Sequence, residues 1–266
     1  GVSPINAPFP YVLGDYNDID ATTATIEANA EELAVVLIEP VMGTAGALPA
    51  EAEFLTALRD VTRRHGILLV FDEVMTSRLA PGGAQELYGV IPDLTSFGKY
   101  IGGGSSFGGF GGRKDIMERF DSRHPNAFAH YGTFNNNVLT MAAGAAGMSA
   151  AYTVDEALRL NAAGDQLRDR INALAAKGGH NLQACGIGGV MTLHFQTGPI
   201  RSVNEIKTRA PALKELLQLF MMERGIFADR RCMLSLSLPM TEADLERLTD
   251  VLGEFLETHG GLLPGD

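Results

Sequence analysis

Cysteine is almost missing from this chain, whose 266 residues include only Cys185 and Cys232. One such pair builds neither a disulfide framework nor a zinc site, so a reducing cytoplasm is expected and both thiols read as packing residues. Positive charge is short as well: 21 Lys and Arg stand against 32 Asp and Glu, a formal net charge of -11. Nucleic-acid surfaces cluster cations to displace phosphate counterions, which this balance opposes, and a small-molecule substrate fits better. No apolar run approaches the roughly 20 residues that span a bilayer, so no membrane partner is expected, and nothing near Gly1 combines a basic segment with an apolar one. The six histidines, His65, His124, His130, His180, His194 and His259, are scattered without metal-ligand spacing, so no metal site is expected.

What is present is an ordinary globular composition, 45% hydrophobic and 20% charged, sufficient for one or two domains with a core. From Leu33 short apolar runs alternate with helical stretches: "LAVVLIEPV", then Glu51 to His65, then "GILLVFDEV". That order predicts a βαβ unit and an α/β fold on a mostly parallel sheet. Pro49 suits the first turn of the helix, Glu51 and Glu53 its N-terminus, and "RRHG" its basic end and glycine stop. "DLTSFGK" and "SFGGFGGR" predict two further strands, the second glycine-rich enough for close backbone approach. "NNNVLTMAAGAAGMSAAY" predicts a helix of small residues suited to tight packing, capped by Asn135 or Asn136. A large domain, 1–152, is expected to meet a small α+β domain, 153–266, at the long amphipathic helix Thr153 to Lys177. Beyond it "GIGGVMTLHF" and "CMLSLSLPM" alternate as half-buried strands do. "APALKELLQLFMMERG" and "TEADLERLTDVLGEFLETHG" are amphipathic helices, the last with a capping box of Thr241 and Asp244.

Asp72 and Glu73 close the apolar run "LLVFDEV", where ionised groups need a solvent-facing rim or a cationic partner. Lys99 closes the next such run, 27 residues on. Parallel strands share one carboxyl edge, where ligands bind, so Asp72 and Lys99 are expected to face one crevice. Two readings stand at this point. The two side chains could pair as a structural salt bridge. Alternatively, a desolvated lysine followed by the slim "YIGGGSSFGGFGG" is a Schiff-base former open to a planar ligand, and an aspartate there can hold a pyridine nitrogen.

Four blocks, "VVLIEPVMGTAG", "LLVFDEVMTSR", "DLTSFGKYIGGG" and "GTFNNNVLTMAAG", resemble in order and spacing the class III aminotransferases of the fold-type-I pyridoxal-phosphate enzymes. The resemblance runs over nearly the whole chain. It is strongest to bacterial β-amino-acid transaminases acting on β-phenylalanine-like substrates, with glutamate-1-semialdehyde aminomutases as near relatives. It implies pyridoxal 5'-phosphate as cofactor, Lys99 as its covalent anchor and proton shuttle, and Asp72 at the pyridinium nitrogen. Val74 would pack on one ring face. Thr133 resembles the threonine that reaches the cofactor phosphate of a neighbouring subunit, which implies a homodimer. Arg231 would bind the substrate carboxylate, with Arg230 beside it as the open alternative; a guanidinium fork suits that task. The implied reaction moves an amino group from an amino acid, an aromatic β-amino acid being the favoured donor, to a 2-oxo acid.

The sequence also departs from that family. The family's N-terminal segment, its glycine-rich phosphate turn and its ring-stacking aromatic residue have no match here, so the chain is expected to be the C-terminal portion of an enzyme and to bind cofactor weakly alone. Met42 stands where many relatives carry a polar side chain after "EP". "GTFNNNV" differs from the "GTLSGNP" type of the aminomutases, which favours a transaminase over the aminomutase alternative. A further rival is a non-catalytic fragment or Rossmann-like binding module whose Lys99 and Asp72 only pair with each other. Glu39 and Glu73 are weaker acid candidates, Arg78 is a candidate partner for either carboxylate, and His130 is left without a role.

Overall fold

A computed structural model describes residues 10–207 and 211–264, so Gly1 and Ala210 lie outside the described residues. The first half opens with α1 (Ile19–Ala28), capped by the Asp18 carboxylate, followed by β1 (Val35–Ile38). β2 (Val41–Met42) and β3 (Leu48–Pro49) form a short antiparallel pair. α2 (Ala52–His65) returns the chain to β4 (Leu68–Asp72), and the short α3 (Ala84–Tyr88) precedes β5 (Leu94–Gly98) and β6 (Gly108–Gly112). The four longer strands make one sheet in the order β1, β4, β5, β6. β1, β4 and β5 are parallel, as the βαβ pattern requires, and β6 runs antiparallel to β5.

Local chemistry explains the α2 boundaries. Pro49 ends β3 and Glu51 takes the N-cap position, so the expected proline in the first turn is corrected by two residues of extended chain. Gly66 stops the helix at φ 68°, a left-handed conformation that a side chain would strain. Phe54, Leu55, Leu58 and Val61 on one face of α2 are buried with Leu69 and Phe71 of β4. The alternate residues of β4, Leu68, Val70 and Asp72, therefore face the other side of the sheet and stay half-buried. Beneath this layer Asp93 ties four elements together: its carboxylate accepts from the Leu69 amide at 2.8 Å and pairs with Arg59 and Arg113, each at 2.9 Å.

α4 (Lys114–Met117) and α5 (Val138–Ala146) follow. The cap of α5 is Asn137, whose side chain accepts from the Thr140 amide at 3.0 Å, and not the expected Asn135 or Asn136. The small residues of α5 do pack tightly, and their neighbour is the turn Lys99–Gly102. A Cβ on Gly144 would stand 2.4 Å from the Ile101 carbonyl oxygen, and one on Gly103 2.2 Å from that of Ala143.

The rest of the chain comprises α6 (Val154–Gly178), capped by Thr153, then β7 (Gln183–Ile187), β8 (Val190–His194), α7 (Pro211–Glu223), β9 (Met233–Ser235) and α8 (Glu242–His259) with its capping box intact. β7, β8 and β9 form an antiparallel sheet with β8 at its centre. The expected half-burial of β8 is corrected: all five of its residues are buried. Met191 and Leu193 face a core made with α6, α7 and α8, while Val190 meets Val41 and Leu79 on the other side, and His194 reaches Gly46. Among the described residues no helix is long and apolar enough to cross a membrane.

Candidate active site

β4 and β5 end side by side, with Asp72 opposite Ser96 in the parallel register. Asp72 is half-buried, and its Oδ1 accepts from the Val74 amide and the Ser96 hydroxyl, both at 3.0 Å. Both bonds fall on one oxygen, so the carboxylate is fixed in orientation while Oδ2 has no protein partner among the described residues. Val74 leans over the end of β5: a Cβ on Gly98 would stand 3.1 Å from its Cγ1. Lys99 follows, at φ 55°. The left-handed turn there carries its side chain off the strand end, and it is exposed. The expected desolvation of Lys99 is thereby corrected, and the alternative reading of a structural salt bridge is not met, since the ion pairs of the described residues do not join Lys99 to Asp72. Asp72, Val74 and Lys99 thus end two adjacent strands with a carboxylate oxygen and an amine both uncommitted.

Glu73, next to Asp72, meets the opposite environment. It is fully buried, and among the described residues no cation pairs with it. Instead its carboxylate accepts from the amides of Ala84 at 2.6 Å and Gln85 at 3.2 Å, from Gln85 Nε2 at 3.1 Å and from Thr76 Oγ1 at 3.2 Å. Burial pushes its pKa up, against the pull of those donors. It anchors the 73–85 loop rather than facing a ligand. Arg78 does not pair with either carboxylate. Its Nη1 donates to Ser235 Oγ at 3.1 Å and its Nη2 to the Leu236 carbonyl at 2.6 Å. Glu39 receives the Gly43 amide at 3.0 Å and so holds the β2–β3 loop.

A second cluster lies across that loop. Arg231, Arg230, Lys214, His194 and Gly43–Gly46 line a cavity of about 360 Å³. Arg231 is exposed, its Nε donates to Asp229 Oδ2 at 2.9 Å, and Lys214 Nζ holds its carbonyl at 3.0 Å. Arg230 pairs with Glu215 on α7. His194 Nε2 donates to the Gly46 carbonyl at 2.8 Å and so acts as a strut for the loop, and burial pushes its pKa down. No sequence pattern pointed to that contact, which spans 148 residues. Thr133 stands apart, on the exposed 130–136 loop, which lines an open cavity of about 560 Å³ whose walls include neither Asp72 nor Lys99. His130 packs edge-on against Phe110, with ring centroids 5.4 Å apart.

Comparison with known proteins places this geometry. A family model described as "Aminotransferase class-III" matches residues 5–226. A β-phenylalanine transaminase of Variovorax paradoxus is 47% identical over 262 residues, which is 98% of this chain and 60% of that protein. The crystal structure of a β-phenylalanine aminotransferase from the same organism superposes with a TM-score of 0.96 at 46% identity, covering 98% of this chain and 61% of the other. A glutamate-1-semialdehyde aminomutase from Pseudomonas aeruginosa, solved in complex with PMP, superposes with a TM-score of 0.84 at 27% identity, covering 95% and 57%. The chain therefore spans about 60% of the length of the curated relative it matches. With the four sequence blocks, the strand order and the family match in agreement, the chain belongs to the class III aminotransferases of fold type I.

Proposed function

We propose that this chain carries the lysine-bearing half of a pyridoxal-phosphate-dependent transaminase that moves an amino group from an aromatic β-amino acid to a 2-oxo acid. The observation that carries the reading is the placing of Asp72 and Lys99 at the ends of adjacent parallel strands, with one oxygen and one amine free of protein partners among the described residues. That donor set fits a pyridine ring: a fixed carboxylate for the ring N–H, an apolar wall from Val74, and an amine for the aldehyde end. When bound there, the cofactor would supply the electron sink that makes the substrate's C–H bond acidic. Asp72 would hold the ring N–H through its free carboxylate oxygen. Lys99 Nζ would take the proton from the substrate carbon and hold it for return. Arg231 holds the substrate carboxylate, its Nε engaged by Asp229 and its carbonyl by Lys214. Asp72, Val74, Lys99 and Thr133 are the residues assigned to the cofactor.

The assembly we infer is a homodimer. Tyr131, Phe134, Val138 and Leu139, in and beside the Thr133 loop, are each at least 80% exposed, large apolar side chains of the kind subunit interfaces cover. A second copy seated there brings Thr133 to the neighbouring cofactor phosphate. Division of the chain at 152/153 is supported by the two large buried clusters, one drawn from residues 26–90 and the other from 160–256, with a small third cluster of Val41, Leu79 and Val190 joining them, and a reducing cytoplasm by the two free thiols.

The test is made on the intact protein. Incubation with an aromatic β-amino acid and 2-oxoglutarate is expected to give amino transfer, and borohydride reduction is expected to fix the cofactor on Lys99. Lys99→Ala should abolish both. Unchanged turnover in that variant refutes the assignment, and product formed with no acceptor present would favour aminomutase chemistry instead.

A further inference from the structure

Between the two clusters lies a residue that neither uses. Arg78 ends the turn that follows Asp72, Glu73 and Val74, and it reaches across the molecule by both ends. Its guanidinium donates to Ser235 Oγ and the Leu236 carbonyl, at the end of the strand that leads from Arg231 through Met233. Its own carbonyl accepts from the Tyr152 hydroxyl at 2.6 Å and from Asn161 Nδ2 at 2.8 Å. Tyr152 packs edge-on against Tyr100, the neighbour of Lys99, with ring centroids 4.9 Å apart. Asn161 also holds the Gly189 amide at 2.9 Å, and a Cβ on Gly189 would stand 3.4 Å from Arg78 Nη2. One residue therefore touches, directly or through one partner, the turn after Asp72, the turn of Lys99 and the strand after Arg231.

We propose that Arg78 is a positioning residue that sets where Arg231 stands relative to Asp72 and Lys99, and thereby how tightly a carboxylate-bearing donor is held. The proposal rests on the transaminase reading for its kinetic consequence, but its structural consequence does not. The chemistry favours this role over a simple surface cation. Two of the guanidinium's donors are spent in fixed directions on one strand end, and a planar fork transmits orientation as a single lysine donor cannot. A substrate arginine displaced by even about 1 Å loses much of its effect on orientation, and β9 has only three residues with which to resist displacement.

Two measurements on the intact protein test this. Arg78→Met is expected to raise the KM for a carboxylate-bearing amino donor about tenfold, the order of a lost charged hydrogen bond, while kcat changes less. Ser235→Ala, which removes one acceptor and leaves the arginine, is expected to shift KM in the same direction by a smaller factor. A fall in kcat as large as the rise in KM, or no change in either, overturns the positioning role. The second measurement needs no turnover: amide hydrogen exchange across residues 233–237 is expected to quicken in Arg78→Met while that of 68–72 stays slow. Unchanged exchange at 233–237 overturns the proposal. If the unsubstituted protein shows no amino transfer at all, the transaminase reading fails, and the exchange experiment still decides the role of Arg78.

Discussion

Asp72 and Glu73 are chemically alike and adjacent, yet one is left with a free oxygen at a rim and the other is sealed among four donors. The consequence for Glu73 is measurable. Burial dominates its shift and raises the pKa, so the folded chain takes up the proton at a higher pH than the unfolded one. Stability then declines as pH rises from the ordinary carboxylate value through the raised folded value. Glu73→Gln removes this titration, and its unfolding free energy in urea is expected to be flatter across that window; parallel curves would refute the sign. Glu73→Ala is expected to cost about 2 kcal/mol, because the buried amides of Ala84 and Gln85 lose their acceptor. At this scale the sequence showed that carboxylates end the strand, but not which would be satisfied by amides. Those amides come from α3, eleven or more residues away, and nothing in the local pattern fixes where that helix docks.

At the scale of elements, the turn of Lys99 is defined by backbone-to-backbone packing against α5. Gly144→Ala places a methyl about where the Ile101 carbonyl lies, 2.4 Å away. Overpacking of that kind costs about 1–3 kcal/mol, so a lower melting temperature and slower trapping of cofactor at Lys99 are expected. Gly147→Ala is the contrast: its nearest atom would be at 3.4 Å in a helical backbone, and its melting temperature should scarcely move. Small residues were legible in the sequence as a packing face. Their partner was not, because a stripe of glycine and alanine says how near something can come and not what comes.

At the scale of the whole molecule, the exposed surface from Phe128 to Met141 dominates. Its apolar side chains are open to water, which is the arrangement expected where a second copy sits. Sedimentation of the intact protein should show a dimer. Leu139→Asp, which puts a charge at a position 81% exposed in the chain, is expected to shift the protein toward monomer with little effect on the unfolding of the monomer itself. A dimer unaffected by that substitution would mean the copies meet elsewhere. The same scale explains Lys99, whose burial was expected and whose exposure is observed. Solvation of a strand-end side chain depends on whatever roofs the crevice, and that roof is not encoded in the strand.

The order of apolar runs and helical stretches in the sequence determined the α/β sheet, the parallel register of β1, β4 and β5, and the placing of Asp72 and Lys99 on one edge, because parallel strands joined by helices must share their carboxyl ends. Tertiary structure alone decided which carboxylate is open, that His194 braces Gly46 and that Arg78 joins the two clusters. Those contacts link residues 11 to 158 positions apart, and a contact of that span depends on how whole elements pack, which local periodicity does not specify.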